Sequence, residues 1–209
     1  MAQLAVSGIS TELVGPRVRL RPLHEDDYEA WSEVRSRCRD WLLPWEPRPA
    51  GGPYPSEDRT TFGARCSMRE RERQLGTGYG FGIFVGGRFV GEVNISSVAR
   101  GAFQNAYVGY WIDQAQAGHG YVPEACVLLF RFAFEEIGLH RIQISIIPRN
   151  HASRRVAQKL WLRGEGIAVG YLEIDGRWED HVRYAVTAEE WAQRRDRYLS
   201  QWLAGPAKG

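Results

Sequence analysis

Residues 107–134 read Tyr107-Val-Gly-Tyr-Trp-Ile-Asp113, then Gln-Ala-Gln-Ala-Gly118-His119-Gly120, then Tyr121-Val122-Pro123-Glu-Ala-Cys-Val-Leu-Leu-Phe-Arg-Phe-Ala-Phe134. Gly118 and Gly120 allow a backbone to approach a ligand closely. N–H groups left free where a helix begins would face that ligand with the positive end of the helix dipole. The chemistry on offer is anion binding, most naturally of phosphate. Two glycines alone fit a plain strand-to-helix turn equally well. The commoner phosphate loops fit worse, since the chain has neither G-x-x-x-x-G-K-[ST] nor a full G-x-G-x-x-G.

For that turn to work, a strand must deliver it and a helix must leave it. Aromatic and β-branched residues in a short run predict a strand over 107–113. Apolar residues at Ala125, Leu128, Leu129, Phe132 and Ala133 have helical spacing. Pro123 suits a first helical turn, where its missing N–H costs nothing. After Gly138, alternating Ile142, Ile144 and Ile146 predict a second strand over 141–147, and Asn150-His-Ala-Ser153 opens a second helix. Two hairpins flank this unit: 81–85 with 88–95 around Gly86-Gly87, and 166–174 with 178–186 around Asp175-Gly176, both turns favouring φ > 0.

Nearer the start, Val18 to Arg21 reads as a strand ended by Pro22. A helix to about Cys38 follows, capped by Asp26 or Asp27 and striped by Tyr28, Trp31, Val34 and Arg35. Residues 40–55 are dense in proline and aromatics and are expected to lack regular structure, serving as a plug for the core or as a wall for substrate. Another helix begins at Ser56-Glu-Asp58, with alternating charges at 68–74 that read as a solvated face. The tail from Ala188 is a short helix. The expected organisation is an arm over 1–16, one domain over 17–204 and a frayed end at 205–209. The class is α+β, with helices packed on a sheet.

Composition narrows the function. A chain of 209 residues, 44% hydrophobic and 25% charged, is an ordinary globular protein with room for one sizeable core. A net charge of +2 leaves no polyanion-binding footprint, so no nucleic acid is implied. Cys38, Cys66 and Cys126 are isolated, which favours free thiols in a reducing compartment over disulfides. No metal is expected, because His24, His140 and His151 have no partner at ligand spacing. No leader and no membrane-spanning run is visible, so a cytoplasmic location and no membrane partner are expected.

In its order of elements and in its motifs the chain resembles the GNAT acetyltransferases, and within them the RimJ-like ribosomal-protein-alanine N-acetyltransferases. The similarity is densest over 81–191. It rests on Val90-Gly91, Asn94, Arg100-Gly101, Gly109-Tyr110, the Gly-His-Gly turn, Glu124-Ala125, Leu139-His-Arg-Ile142, Asn150-x-x-Ser153 and Tyr171-Leu-Glu-Ile-Asp-Gly-Arg-Trp178-Glu-Asp-His181. This resemblance implies a GNAT fold, a mixed central sheet flanked by helices, whose parallel strands splay to admit the pantetheine arm of acetyl-CoA. By position it places the pyrophosphate on Gly118, His119, Gly120, Tyr121 and Val122. Pantetheine would lie along the backbone of Trp111 and Ile112, with Asn150 bonding the cofactor arm.

The same resemblance implies direct attack of an amine on the acetyl thioester. Ala157 stands where many relatives carry the Tyr that protonates the leaving thiolate, which makes Ser153 the candidate acid. The base is one of Asp180, His181 and Glu92, or an ordered water; for His181 a structural hydrogen bond is the competing role. Two other departures are Ala117, where relatives carry Gln or Arg, and Trp161, where they carry a helix-ending Gly. The expected acceptor is the N-terminus of a protein or peptide, possibly ribosomal, because acids are sparse around 171–183 and Arg177 and Arg183 are interleaved with them. The alternatives are a free small amine, or an acyl-CoA sensor without catalysis. The sequence leaves the oligomeric state open.

Overall fold

The computed structural model describes residues 11–47 and 56–205. Most of the expected arm, the second half of the proline-rich segment and the last four residues lie outside that range. Within it, one eight-stranded sheet is built from β1 (Leu13–Val14), β2 (Val18–Arg21), β3 (Tyr79–Val85), β4 (Arg88–Ala99), β5 (Asn105–Ile112), β6 (Arg141–Ile146), β7 (Arg163–Ile174) and β8 (Arg177–Thr187). Their order is β1-β2-β3-β4-β5-β6-β8-β7. The mixed sheet and its covering helices are the GNAT fold. Leu13–Val14, inside the expected arm, adds an edge strand to β2.

Both hairpins form as the turn chemistry requires. Gly86 and Gly87 sit at φ 56° and 79°, and Asp175 and Gly176 at 47° and 77°, so both turns use consecutive left-handed residues. The strands run longer than alternation alone predicts, since β7 begins at Arg163 and β4 continues to Ala99.

The one parallel pair governs function. β5 and β6 pair only at Asn105–Arg141, Ala106–Ile142 and Tyr107–Gln143. Beyond Tyr107, β5 keeps its partner β4 through Gly91–Ile112, and β6 keeps β8 through Ile146–Val182. The sheet therefore opens between two strands that each remain hydrogen-bonded on their outer side. Gly91 lets β4 and β5 close here, because a Cβ at that position would collide with the Trp111 carbonyl.

Among the described residues six α-helices cover the sheet: α1 (Tyr28–Arg37), α2 (Arg39–Leu42), α3 (Arg59–Leu75), α4 (Tyr121–Arg131), α5 (His151–Lys159) and α6 (Ala188–Tyr198). Alternation along β5 separates two cores. Ala106 and Val108 join the main cluster with residues of α4, α5 and α6, whereas Trp111 packs with Trp31, Val34 and Phe62 of α1 and α3. The expected stripe on α4 understates its burial. Every residue from Val122 to Phe130 is buried, as expected of a helix enclosed on all sides. The sheet lies beneath it, and the π-helical turn Leu199–Leu203 after α6 packs on it from outside.

One sequence expectation is corrected by the fold, and one departure from the family pattern is explained by it. Part of the proline-rich segment is regular after all: α2 is followed by a 3-10 turn over Leu43–Trp45, with Pro44 in its opening turn, where no N–H is missed. Trp161 has a physical account. Its φ is 46°, the left-handed conformation a glycine would adopt without strain. Its ring carries the Arg197 guanidinium 3.7 Å from the centroid and lies 5.7 Å from the Tyr198 ring. Its carbonyl accepts from Arg194 at 2.9 Å. Contacts with α6 thus offset a strain of about 1 kcal/mol.

Candidate active site

The gap between β5 and β6 opens into a cavity of about 1530 Å³. A single drug-sized ligand occupies roughly 300–1,000 Å³, so a large cofactor and a second substrate can share this space. On one side lie the turn after β5 and the start of α5. On the other lie α1, α2 and the β7–β8 hairpin.

Asp113 ends β5 and holds the turn in place. Its buried carboxylate accepts from Ala115 N at 3.0 Å, from Arg37 and from the Cys38 thiol. Burial alone would raise this carboxyl, but those bonds outweigh it and hold it below the usual carboxylate range. The chain then passes through Gly118 and Gly120 at φ 86° and 85°, and Gly120 is the N-cap of α4. Gly118, Gly120, Tyr121 and Val122 line the cavity, as do Trp111 and Ile112 on β5. His119 does not: its ring stacks on Tyr121 and its carbonyl accepts from Arg17 at 3.0 Å. The two glycines also differ. A Cβ at Gly118 would meet nothing within 4 Å, whereas one at Gly120 would stand 3.5 Å from Arg17 Nη2 and 3.4 Å from the Trp202 ring.

Across the gap, Asn150 caps α5 by accepting from Ser153 N at 3.0 Å, and both residues line the cavity. The Ser153 hydroxyl lies 2.9 Å from the Tyr110 hydroxyl. Sequence reasoning missed Tyr110 as a site residue. It was visible as part of Gly109-Tyr110, and alternation put it on the face of Val108, but only the splay brings it to α5. Burial pushes its phenol well up, so it stays protonated.

The three side chains put forward as bases have different surroundings. Asp180 is exposed, accepts from Gly170 N at 2.8 Å and lies outside the cavity lining. Glu92 lines the cavity, but Arg65 binds it through both guanidinium nitrogens at 2.9 and 3.0 Å, and Trp31 Nε1 donates to it at 2.8 Å. His181 lines the cavity, is 3% exposed and has Nδ1 2.9 Å from the Glu179 carbonyl. A carbonyl only accepts, so Nδ1 carries a proton, and Nε2 is the ring nitrogen left out of that bond. Tyr171 meets the ring edge-to-face at 5.5 Å.

The far wall is aromatic, with Trp31, Trp41 and Trp45 beside Tyr171 and Leu172. Pro47 bridges to Ile174 and Asp175 N donates to the Glu46 carbonyl, so the described part of the proline-rich segment meets the hairpin. Trp178, on the same hairpin, is 69% exposed and outside the lining. Among the described lining residues seven are Arg or Lys and three are Glu. Each of those carboxylates, Glu46, Glu57 and Glu92, is already paired with Arg35 or Arg65. Ser145 Oγ, on β6, also lines the cavity and is buried with no hydrogen-bond partner among the described residues.

Known proteins share this architecture. The chain is 36% identical over 178 residues to "Probable N-acetyltransferase YjcK" of Bacillus subtilis, covering 83% of this chain and 96% of that one. It is 33% identical over 186 residues to the "[Ribosomal protein uS5]-alanine N-acetyltransferase" of Escherichia coli, covering 88% and 94%. The structure of Mycobacterium smegmatis RimJ in complex with CoA-disulfide superposes with a TM-score of 0.83 at 35% identity, covering 91% of this chain and 92% of that one. Residues 17–163 match the acetyltransferase (GNAT) domain. The chain belongs to the GNAT family and is an acetyl-CoA-dependent N-acetyltransferase.

Proposed function

We propose that the acceptor is the N-terminal amine of a protein or peptide beginning with a small residue, modified in the cytoplasm. The observation that carries this reading is the pairing of every carboxylate in the described cavity lining with arginine. A polycationic small amine needs unpaired acids, and the lining offers none. A peptide needs apolar walls and scattered polar partners. The tryptophan wall and Ser145 Oγ supply both. The relative named as a ribosomal protein uS5 alanine N-acetyltransferase supports this reading. The test is thiol release with a short peptide bearing a free N-terminal Ala or Ser, set against the same peptide N-terminally blocked with a free Lys, aminoglycosides and polyamines. Turnover confined to the free N-terminus is expected. Turnover only with small amines establishes the small-amine reading instead.

In this reading Gly118, Gly120, Tyr121 and Val122 present backbone N–H groups to the pyrophosphate. The splayed edge of β5 at Trp111 and Ile112, where the Ile112 carbonyl accepts from Trp41 Nε1 at 3.2 Å, receives the pantetheine arm, and Asn150 orients it. Bound acetyl-CoA supplies the thioester. His181 Nε2 takes a proton from the acceptor amine as the N–C bond forms. Ser153 Oγ gives its proton to the sulfur as the C–S bond breaks. Either hydroxyl can donate across the 2.9 Å Tyr110–Ser153 contact; with Tyr110 as donor the serine proton is left for the sulfur, and solvent returns a proton to Ser153 Oγ as the thiol leaves. Ser153→Ala is expected to lower kcat about 10- to 100-fold with CoA affinity nearly unchanged. Equal turnover in the two proteins would leave water as the proton source.

A further inference from the structure

Glu124, in the first turn of α4, has no exposed surface. Its Oε1 accepts from the backbone N–H groups of Arg17 and Val18, both at 2.9 Å, and its Oε2 accepts from Arg17 Nε at 2.8 Å. A buried carboxylate is tolerated only when paired and hydrogen-bonded, and the start of β2 meets both needs. The same guanidinium reaches further. Nη1 donates to the His119 carbonyl at 3.0 Å, Cζ lies 5.3 Å from the Tyr121 ring centroid, and Nη2 lies beside Gly120. Arg17 thus touches three consecutive residues of the turn while lying outside the cavity lining.

We propose that Arg17 is the positioning residue of the phosphate turn, holding its amides toward the cofactor from behind. The proposal rests on reading that turn as the pyrophosphate site. In a trans peptide the C=O and the following N–H point in opposite directions. Tying the His119 carbonyl to Arg17 therefore turns the Gly120 N–H to the opposite side. Arg17 also cancels the charge of Glu124, which would otherwise stand unpaired in the first helical turn and repel a phosphate. Ala117 supplies no cation in the turn itself. Arg17, 102 residues away from His119 in sequence, brings one from the turn between β1 and β2.

The experiment compares two donors, acetyl-CoA and acetyl-pantetheine, which lacks the pyrophosphate. Arg17→Gln is expected to raise KM for acetyl-CoA about tenfold, with kcat at saturation within about twofold and KM for acetyl-pantetheine unchanged. Arg17→Lys, which keeps the charge without the fork, recovers part of the loss. A merely structural role would move both donors together. That result, or an unchanged acetyl-CoA KM in folded Arg17→Gln, overturns the proposal. Should Arg17→Gln fail to fold by circular dichroism, Arg17→Lys decides on the same criterion: an acetyl-CoA-specific rise supports the proposal and an equal rise for both donors overturns it. If Gly118→Asp weakens acetyl-CoA alone while the Arg17 variants do not, only this inference falls. If Gly118→Asp also spares acetyl-CoA, the site reading falls with it.

Discussion

His181→Asn is expected to lower kcat by roughly 10²- to 10³-fold while leaving acetyl-CoA affinity and the melting temperature nearly unchanged. Asparagine is chosen because its side-chain amide N–H can stand where Nδ1–H stands and keep the bond to the Glu179 carbonyl. What it removes is Nε2, the ring nitrogen left out of that bond. If the histidine serves only as a structural hydrogen bond, Asn replaces it with little loss of rate. If it is the base, the structure survives and the chemistry does not. The other two side chains make poor substitutes: Asp180 lies off the cavity, and the oxygens of Glu92 already accept from Arg65 and Trp31. Stopped-flow thiol detection with a free N-terminal Ala peptide reads the effect. A kcat within about twofold of the parent assigns the proton to water instead, since a positioned base contributes at least about a hundredfold.

What could be read from the sequence divides along a physical line. Local signals were legible. The Gly86-Gly87 and Asp175-Gly176 turns, the glycines before α4 and the Asn150 cap depend on conformations that the residue type itself dictates. The family motifs carried the expectation of splayed parallel strands, which β5 and β6 show in their three paired positions. Contacts across the fold were not legible. Tyr110 meets Ser153 over 43 residues, and Arg17 meets Glu124 over 107. The full burial of α4 depended on a partner, the turn at Leu199–Leu203, that a helical wheel does not contain. Burial also sorted His181 from its neighbour Asp180. Alternation on β8 sends adjacent residues to opposite faces, but it does not say which face meets the cavity.

Gly118→Asp is expected to weaken acetyl-CoA binding by roughly 200-fold, from about 3 kcal/mol of repulsion between like charges some 5 Å apart at an effective dielectric near 20. Gly120, equally prominent in the sequence, is the wrong place for this test. A carboxylate there would grow toward Arg17 Nη2 and gain a partner, confounding the charge effect. At Gly118 nothing lies within 4 Å, so the new side chain enters the open space of the cavity mouth without a clash. Its φ of 86° imposes a backbone strain of about 1 kcal/mol on any L-residue, and Gly118→Ala measures that strain alone. The difference between the Asp and Ala variants therefore isolates the charge. Calorimetry with CoA should show the Asp variant binding far more weakly than the Ala variant, while acetyl-pantetheine, which has no pyrophosphate, is turned over alike by both. Equal CoA affinity in the Asp and Ala variants would place the pyrophosphate elsewhere and remove the glycine turn from the cofactor site.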